Sequence, residues 1–166
     1  MRIYLIGSLK NPKIPEIGKT LRSKGYEVYD EWHCPGSEAD ENWQAYCKFN
    51  GLTYAQALEG WHAKQIYEID KFHLDRADVG ILVWPCGKSG HLEGGYLIGK
   101  GRKCYILLEG EPDRYDIMTR MMTKVCPTLE TIIKELVASQ VPHSIYNEEG
   151  RCVECLANAK ERDYVK

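Results

Sequence analysis

The sequence predicts an α/β fold: a doubly wound, flavodoxin- or Rossmann-like parallel sheet of five strands in the order 2-1-3-4-5, with an irregular insertion after strand two and a C-terminal tail. Three observations predict it. Apolar runs of strand length recur at Arg2 to Ile6, Val79 to Trp84 and Lys103 to Leu108, segments with helical spacing separate them, and glycine or proline marks the junctions. A chain of 166 residues is the size of one domain. Residues 1–140 are therefore expected to form one α/β domain with its insertion at 30–52, and residues 141–166 a tail without a core pattern.

Taken in order, Arg2 to Ile6 reads as a buried strand that Gly7-Ser8-Leu9 breaks, and Asn11-Pro12 as the cap and first position of a helix running to about Lys24. Gly25 ends that helix, and Tyr26 to Tyr29 gives the second strand, so the opening is a parallel βαβ unit. From Asp30 to Leu52 periodicity is lost, apart from a short helix around Trp43 to Lys48. Thr53 with Gln56 makes a capping-box pattern opening a helix to about Arg76, whose apolar stripe is Leu58, Trp61, Ile66, Ile69 and Leu74. Val79 to Trp84 is a strand covered on both faces. A helix from His91 to about Lys100, a strand from Lys103 to Leu108, a helix near Asp113 to Met122, a weak strand around Val125 and a helix from Thr128 to Ala138 follow.

Net charge is −2 with mixed signs and no basic stripe, which gives duplex nucleic acid no electrostatic footprint. Apolar runs are too short for a membrane span, and Met1 leads straight into a strand without a signal-peptide pattern, so a cytoplasmic protein is expected. Seven cysteines, an odd number, fit free thiols in a reducing compartment. Cys152 and Cys155 have half the spacing of a zinc knuckle but lack a second pair, and are read as reduced thiols; neither a metal nor a cofactor is expected.

In this strand order a ligand sits where the order reverses, at the carboxyl ends of strands one and three. The segments delivered there are Gly7-Ser8-Leu9 and Pro85 to Glu93, which includes Gly87, Lys88 and Ser89. Ser89 reads as the N-cap of a helix carrying Glu93 in its first turn, where the helix dipole favours the ionised carboxylate. Gly94-Gly95 directly after it costs roughly 1 kcal/mol per glycine in a helix and implies close approach of a ligand or another helix. Asp70 falls beside the apolar stripe, where a carboxylate must find partners or raise its pKa. One acid at a helix start and one partly desolvated is the arrangement that glycosidic chemistry uses. Asp75 and Asp78 read as structural, and Trp32, His33 and Trp43 as an aromatic wall from the insertion.

Tyr4-Leu5-Ile6-Gly7-Ser8-Leu9, Asp70 with Asp78 eight residues on, and Ser89-Gly90-His91-Leu92-Glu93-Gly94-Gly95-Tyr96 together resemble the nucleoside 2-deoxyribosyltransferase superfamily, including its deoxynucleoside 5′-monophosphate N-glycosidases. The resemblance spans Met1 to Leu108. It implies Glu93 as nucleophile forming a glycosyl-enzyme intermediate, Asp70 as the acid that orients or protonates the departing base, and phosphate or 5′-hydroxyl contacts at Gly7, Ser8 and Ser89. It further implies a nucleoside or nucleotide as partner, and a homo-oligomer, most simply a dimer, to which the apolar Ile117-Met118 and Met121-Met122 pairs would contribute. Gly-Gly after Glu93, where the family more often has Leu-Gly, and the long insertion are departures. The same two acids also suit release of nicotinamide from its dinucleotide, and a binding module without turnover is the alternative of another class.

Overall fold

The computed structural model describes residues 1–140, and in them five parallel strands form one sheet in the order β2-β1-β3-β4-β5 with helices on both faces. The strands are β1 (Arg2–Ile6), β2 (Glu27–Tyr29), β3 (Val79–Val83), β4 (Lys103–Leu107) and β5 (Lys124–Cys126). β1 lies between β2 and β3, pairing Tyr4 with Tyr29 on one side and with Gly80 on the other. β3 is buried along its whole length, as its unbroken apolar run requires of a central parallel strand. A Cβ on Gly80 would come within 2.5 Å of Leu97 Cδ1, so the glycine lets the following helix lie directly on the strand.

The helices are α1 (Ile14–Ser23), α2 (Ala39–Phe49), α3 (Tyr54–Leu58), α4 (Trp61–Arg76), α5 (Lys88–Gly99) and α6 (Leu129–Gln140). Contacts divide the chain into Met1–Leu129, which carries the sheet, and Glu130–Lys166. Nearly all of α6 belongs to the second unit, with Ile132 and Leu136 buried one turn apart. The expected tail at 141–166, with Cys152 and Cys155, lies outside the described residues. No helix among the described residues is long and apolar enough to cross a membrane.

Several expected boundaries are corrected, each for a local reason. Asn11 does not cap α1: its Oδ1 accepts from Lys13 N at 3.0 Å, closing a turn, and the proline in the first helical turn is Pro15. The insertion is mostly helical. A 3-10 turn at Glu31–His33 precedes the eleven residues of α2, because the acids that read as loop polarity, Asp40 and Glu41, sit in a first turn, where the helix dipole favours them. The Thr53–Gln56 capping box forms, with Thr53 N donating to Gln56 Oε1 at 2.9 Å and Gln56 N to Thr53 Oγ1 at 3.3 Å. The helix it opens stops at Leu58, however, and Gly60 in an extended conformation starts α4 afresh. Near Asp113 to Met122 only a 3-10 turn, Ile117–Met121, is present.

The largest correction concerns α4. Of the expected stripe only Leu74 is buried; Leu58, Trp61, Ile66 and Ile69 are exposed. The helix reaches the core through its C-terminal end, where Leu74 and, just beyond, Ala77 pack with Tyr4, Ile6 and Leu82. Its inward face follows Ala63, Asp70 and Leu74, at spacings of seven and four that keep one side of a helix.

Candidate active site

A cavity of about 400 Å³ opens at the carboxyl ends of β1 and β3, at the reversal of strand order. Gly7, Ser8 and Leu9 reach it from β1, Trp32 from the turn after β2, Asp40 and Trp43 from α2, Ile66, Tyr67 and Asp70 from α4, and Gly87, Ser89 and Glu93 from the start of α5. All but two of the expected site residues thus meet in one place. The other two do not line it: Lys88 is exposed, and His33 Nε2 sits 3.1 Å from the Asn11 carbonyl oxygen, tying the turn after β2 to the segment before α1. Trp32 is anchored beside it, its Nε1 donating to the Leu5 carbonyl at 2.8 Å.

Two residues of the site's support were missed. Tyr29 OH donates to Asp70 Oδ1 at 2.7 Å, and its ring stacks on His73, one helical turn from Asp70, with centroids 3.8 Å apart and 7° between planes. Tyr4, buried next to Tyr29 with ring centroids 5.2 Å apart, has its phenol pushed far up by burial and then by the charges of Glu93 and Asp70.

Glu93 stands differently from the expectation. α5 begins at Lys88 with Gly87 as its cap, so Ser89 lies inside the helix and Glu93 in its second turn. The dipole's pull fades beyond the first turn, and burial wins. Burial first, and the charge of Asp70 second, push the Glu93 carboxyl up to about 7. Asp70 is also raised, chiefly by burial, against the opposing effects of the Tyr29 hydrogen bond and of His73. The thiol of Cys86, 3.5 Å from His91 Nδ1, is pushed up to about 11 by burial and then by Glu93, which leaves it protonated and a poor nucleophile.

The glycines have structural reasons of their own. A Cβ on Gly94 would lie 2.7 Å from Met122 Cε, and one on Gly7 2.7 Å from Ile14 Cδ1, whereas Gly95 faces open space. Among the described residues no group of His, Cys, Asp and Glu side chains is placed to hold a metal ion.

No family model and no curated protein matches this sequence. A solved structure does. It is a CMP N-glycosidase from Clostridium botulinum, BcmB, similar at a TM-score of 0.50 and 16% identity over 82% of this chain and 99% of that one. The two share a fold.

Two contacts tie together the elements around the site. Asp75 accepts from Lys71 Nζ, from Lys100 Nζ and from the Tyr96 hydroxyl, which clamps α4, the carrier of Asp70, to α5, the carrier of Glu93. That threefold donation holds the Asp75 carboxyl well below the usual range. Asp78 accepts from Arg2 N at 2.8 Å and from its guanidinium at 3.1 Å, joining the starts of β1 and β3. Both aspartates are structural, as their positions at a helix end and a strand entry suggest.

Proposed function

We propose that this chain cleaves or transfers at the N-glycosidic bond of a (deoxy)nucleoside or nucleoside 5′-monophosphate. The observation that carries the reading is the pair of carboxyl groups, Glu93 and Asp70, brought from two helices into one cavity and electrostatically coupled there. In its ionised form Glu93 attacks the anomeric carbon while the carbon–nitrogen bond breaks and its electron pair leaves with the base. Asp70, in its protonated form, gives its proton to that base. Water, losing a proton to Asp70, then displaces Glu93 and completes hydrolysis; a second base in place of water completes transfer. Desolvation suits this role, since a carboxylate stripped of water gains most when a cationic sugar forms beside it.

Trp32 and Trp43 offer flat walls to a base, and Ser8, Ser89 and the backbone of Gly7, Leu9 and Gly87 offer donors to a 5′-hydroxyl or phosphate near the N-terminus of α5. In this reading His33 acts indirectly by holding the Trp32 turn, and Lys88 has no part. The fold likeness to a CMP N-glycosidase supports the reading at the level of architecture.

The deciding experiment is incubation with a panel of nucleosides, nucleotides and nicotinamide dinucleotides, with chromatography for free base. Base release that disappears in Glu93→Gln is the expected result. No release from any member, or near wild-type turnover in Glu93→Gln, would overturn it.

A pKa near 7 also suits a proton donor, which favours one second reading with the two roles exchanged. Peptide mapping of a trapped glycosyl-enzyme, with the sugar on Glu93 or on Asp70, separates the two.

A further inference from the structure

Besides Glu93 and Asp70, the charged side chain that lines the cavity among the described residues is Asp40, which the proposed reaction leaves unused. It enters from the first turn of α2, where its neighbour is already engaged: Glu41 pairs with Lys10 at 2.5 Å. Asp40 itself makes no hydrogen bond and no ion pair among the described residues. Trp43, three residues further along and so on the same side of α2, lines the cavity too. Burial and Asp70 raise the Glu93 carboxyl, and burial raises that of Asp70; Asp40 acts on neither, so it stands apart from the reacting pair. The wall that α2 contributes is thus a flat ring with an unpaired acceptor beside it.

We propose that Asp40 selects the base: its carboxylate accepts a hydrogen bond from an exocyclic amino group, so the substrates carry cytosine or adenine, and the oxo counterparts uracil and hypoxanthine are disfavoured. The proposal rests on Glu93 and Asp70 being the reacting pair. With the anomeric carbon at Glu93 and the 5′ end toward Ser8 and Ser89, the base takes the part of the cavity walled by Trp32 and Trp43. A ring stacked on Trp43 turns an edge toward Asp40. Cytosine presents its N4 amino donor and adenine its N6 amino donor where uracil and hypoxanthine present oxygen. A carboxylate has acceptors only, so an amino base gains a charge-assisted bond while an oxo base sets lone pairs against lone pairs. Attraction to one base combined with repulsion of the other discriminates where shape cannot, because the two members of each pair have nearly the same outline. The other usual partner of a carboxylate, a sugar hydroxyl, belongs with the sugar beside Glu93 and Asp70.

The test compares the 5′-monophosphates of deoxycytidine with deoxyuridine and of deoxyadenosine with deoxyinosine, which differ within each pair at that group and the ring nitrogen beside it. In the parent, kcat/KM should favour the amino member of each pair by about tenfold. Asp40→Asn keeps the shape and can turn its own amide N–H toward an oxo group, so both ratios should fall to about one or below. Asp40 is exposed, and the variant should melt like the parent. Binding is read apart from turnover by calorimetry: Glu93→Gln should show the same preference, and Glu93→Gln combined with Asp40→Asn should not. Equal kcat/KM within each pair in the parent, ratios unchanged in Asp40→Asn, or no binding preference in Glu93→Gln would overturn the proposal. So would a uniform loss over all four substrates in Asp40→Asn, the mark of a contact to the sugar. Base release without preference would sink the selection by Asp40 and leave the reaction standing; a binding preference that depends on Asp40, without base release, would do the reverse.

Discussion

α5 and α4 each deliver one carboxyl group to the cavity, and they do so from opposite kinds of support. α5 lies directly on the sheet, with Gly90, Gly94 and Leu97 buried beneath it and a strand glycine opposite Leu97. α4 reaches the core through Leu74 at its C-terminal end and leaves most of its length in water. The acid on the well-packed helix is consequently the more desolvated, and burial carries Glu93 up to about 7. The acid on the outer helix is also raised, but it keeps a donor, Tyr29, that favours its charged form. Two carboxyl groups that share a cavity thus come to differ because their helices pack differently.

The strongest way to break this contrast is to remove the Glu93 charge. Glu93→Gln should lower base release by about a thousandfold or more, read by chromatography of the free base. The same substitution has a signature in stability that does not depend on activity. The folded pKa of Glu93 lies above its ordinary value of 4.5, so the folded state holds this proton more tightly than the unfolded state. Its contribution is fully present below about pH 4.5 and is lost as pH rises through about 7, a decline of about 3 kcal/mol. Glu93→Gln should abolish that decline and melt higher than the parent at pH 8. Equal pH dependence in both proteins would mean that Glu93 is not buried as described.

Next in size is Asp70→Asn, which should cost about a hundredfold or more with bases that need a proton to leave. It should spare nicotinamide, which departs from its dinucleotide as a neutral molecule. An equal loss on both substrate types would recast Asp70 as a group that positions the sugar.

Tyr29→Phe sharpens the comparison from the other side. Without the phenol donor the Asp70 pKa should rise further, and a neutral Asp70 no longer lifts Glu93, so the pKa of Glu93 should fall. Carbon-detected NMR of the two carboxyl groups should show the Asp70 pKa rising and the Glu93 pKa falling below its parent value of about 7, so that the two converge. The smallest effect is expected at Trp32→Phe, which loses the bond to the Leu5 carbonyl, worth about 1 kcal/mol. It should change discrimination among bases severalfold; a change in melting temperature alone would make the ring a structural anchor.

Much of the site was legible because strand-length apolar runs, their order and their punctuation place residues 7–9 and 85–93 at one crevice whatever the side chains around them do. Tyr29 was not, since nothing local marks a tyrosine in a short strand as the partner of an acid forty-one residues later. The helical period at 58–74 was readable but ambiguous, because an apolar stripe says that a face must leave water without saying what will cover it.

By itself the sequence determined the parallel five-stranded order, the junctions where α1 and α6 end or begin to within a few residues, and the nomination of Glu93 with Asp70, all of which follow from patterns a few residues long. Tertiary structure alone decided that α4 turns its aromatic side outward, that α5 starts early enough to put Glu93 in a second turn, and that Glu93 holds its proton more tightly than an exposed glutamate. Each of these depends on burial, which is set by neighbours distant in the chain.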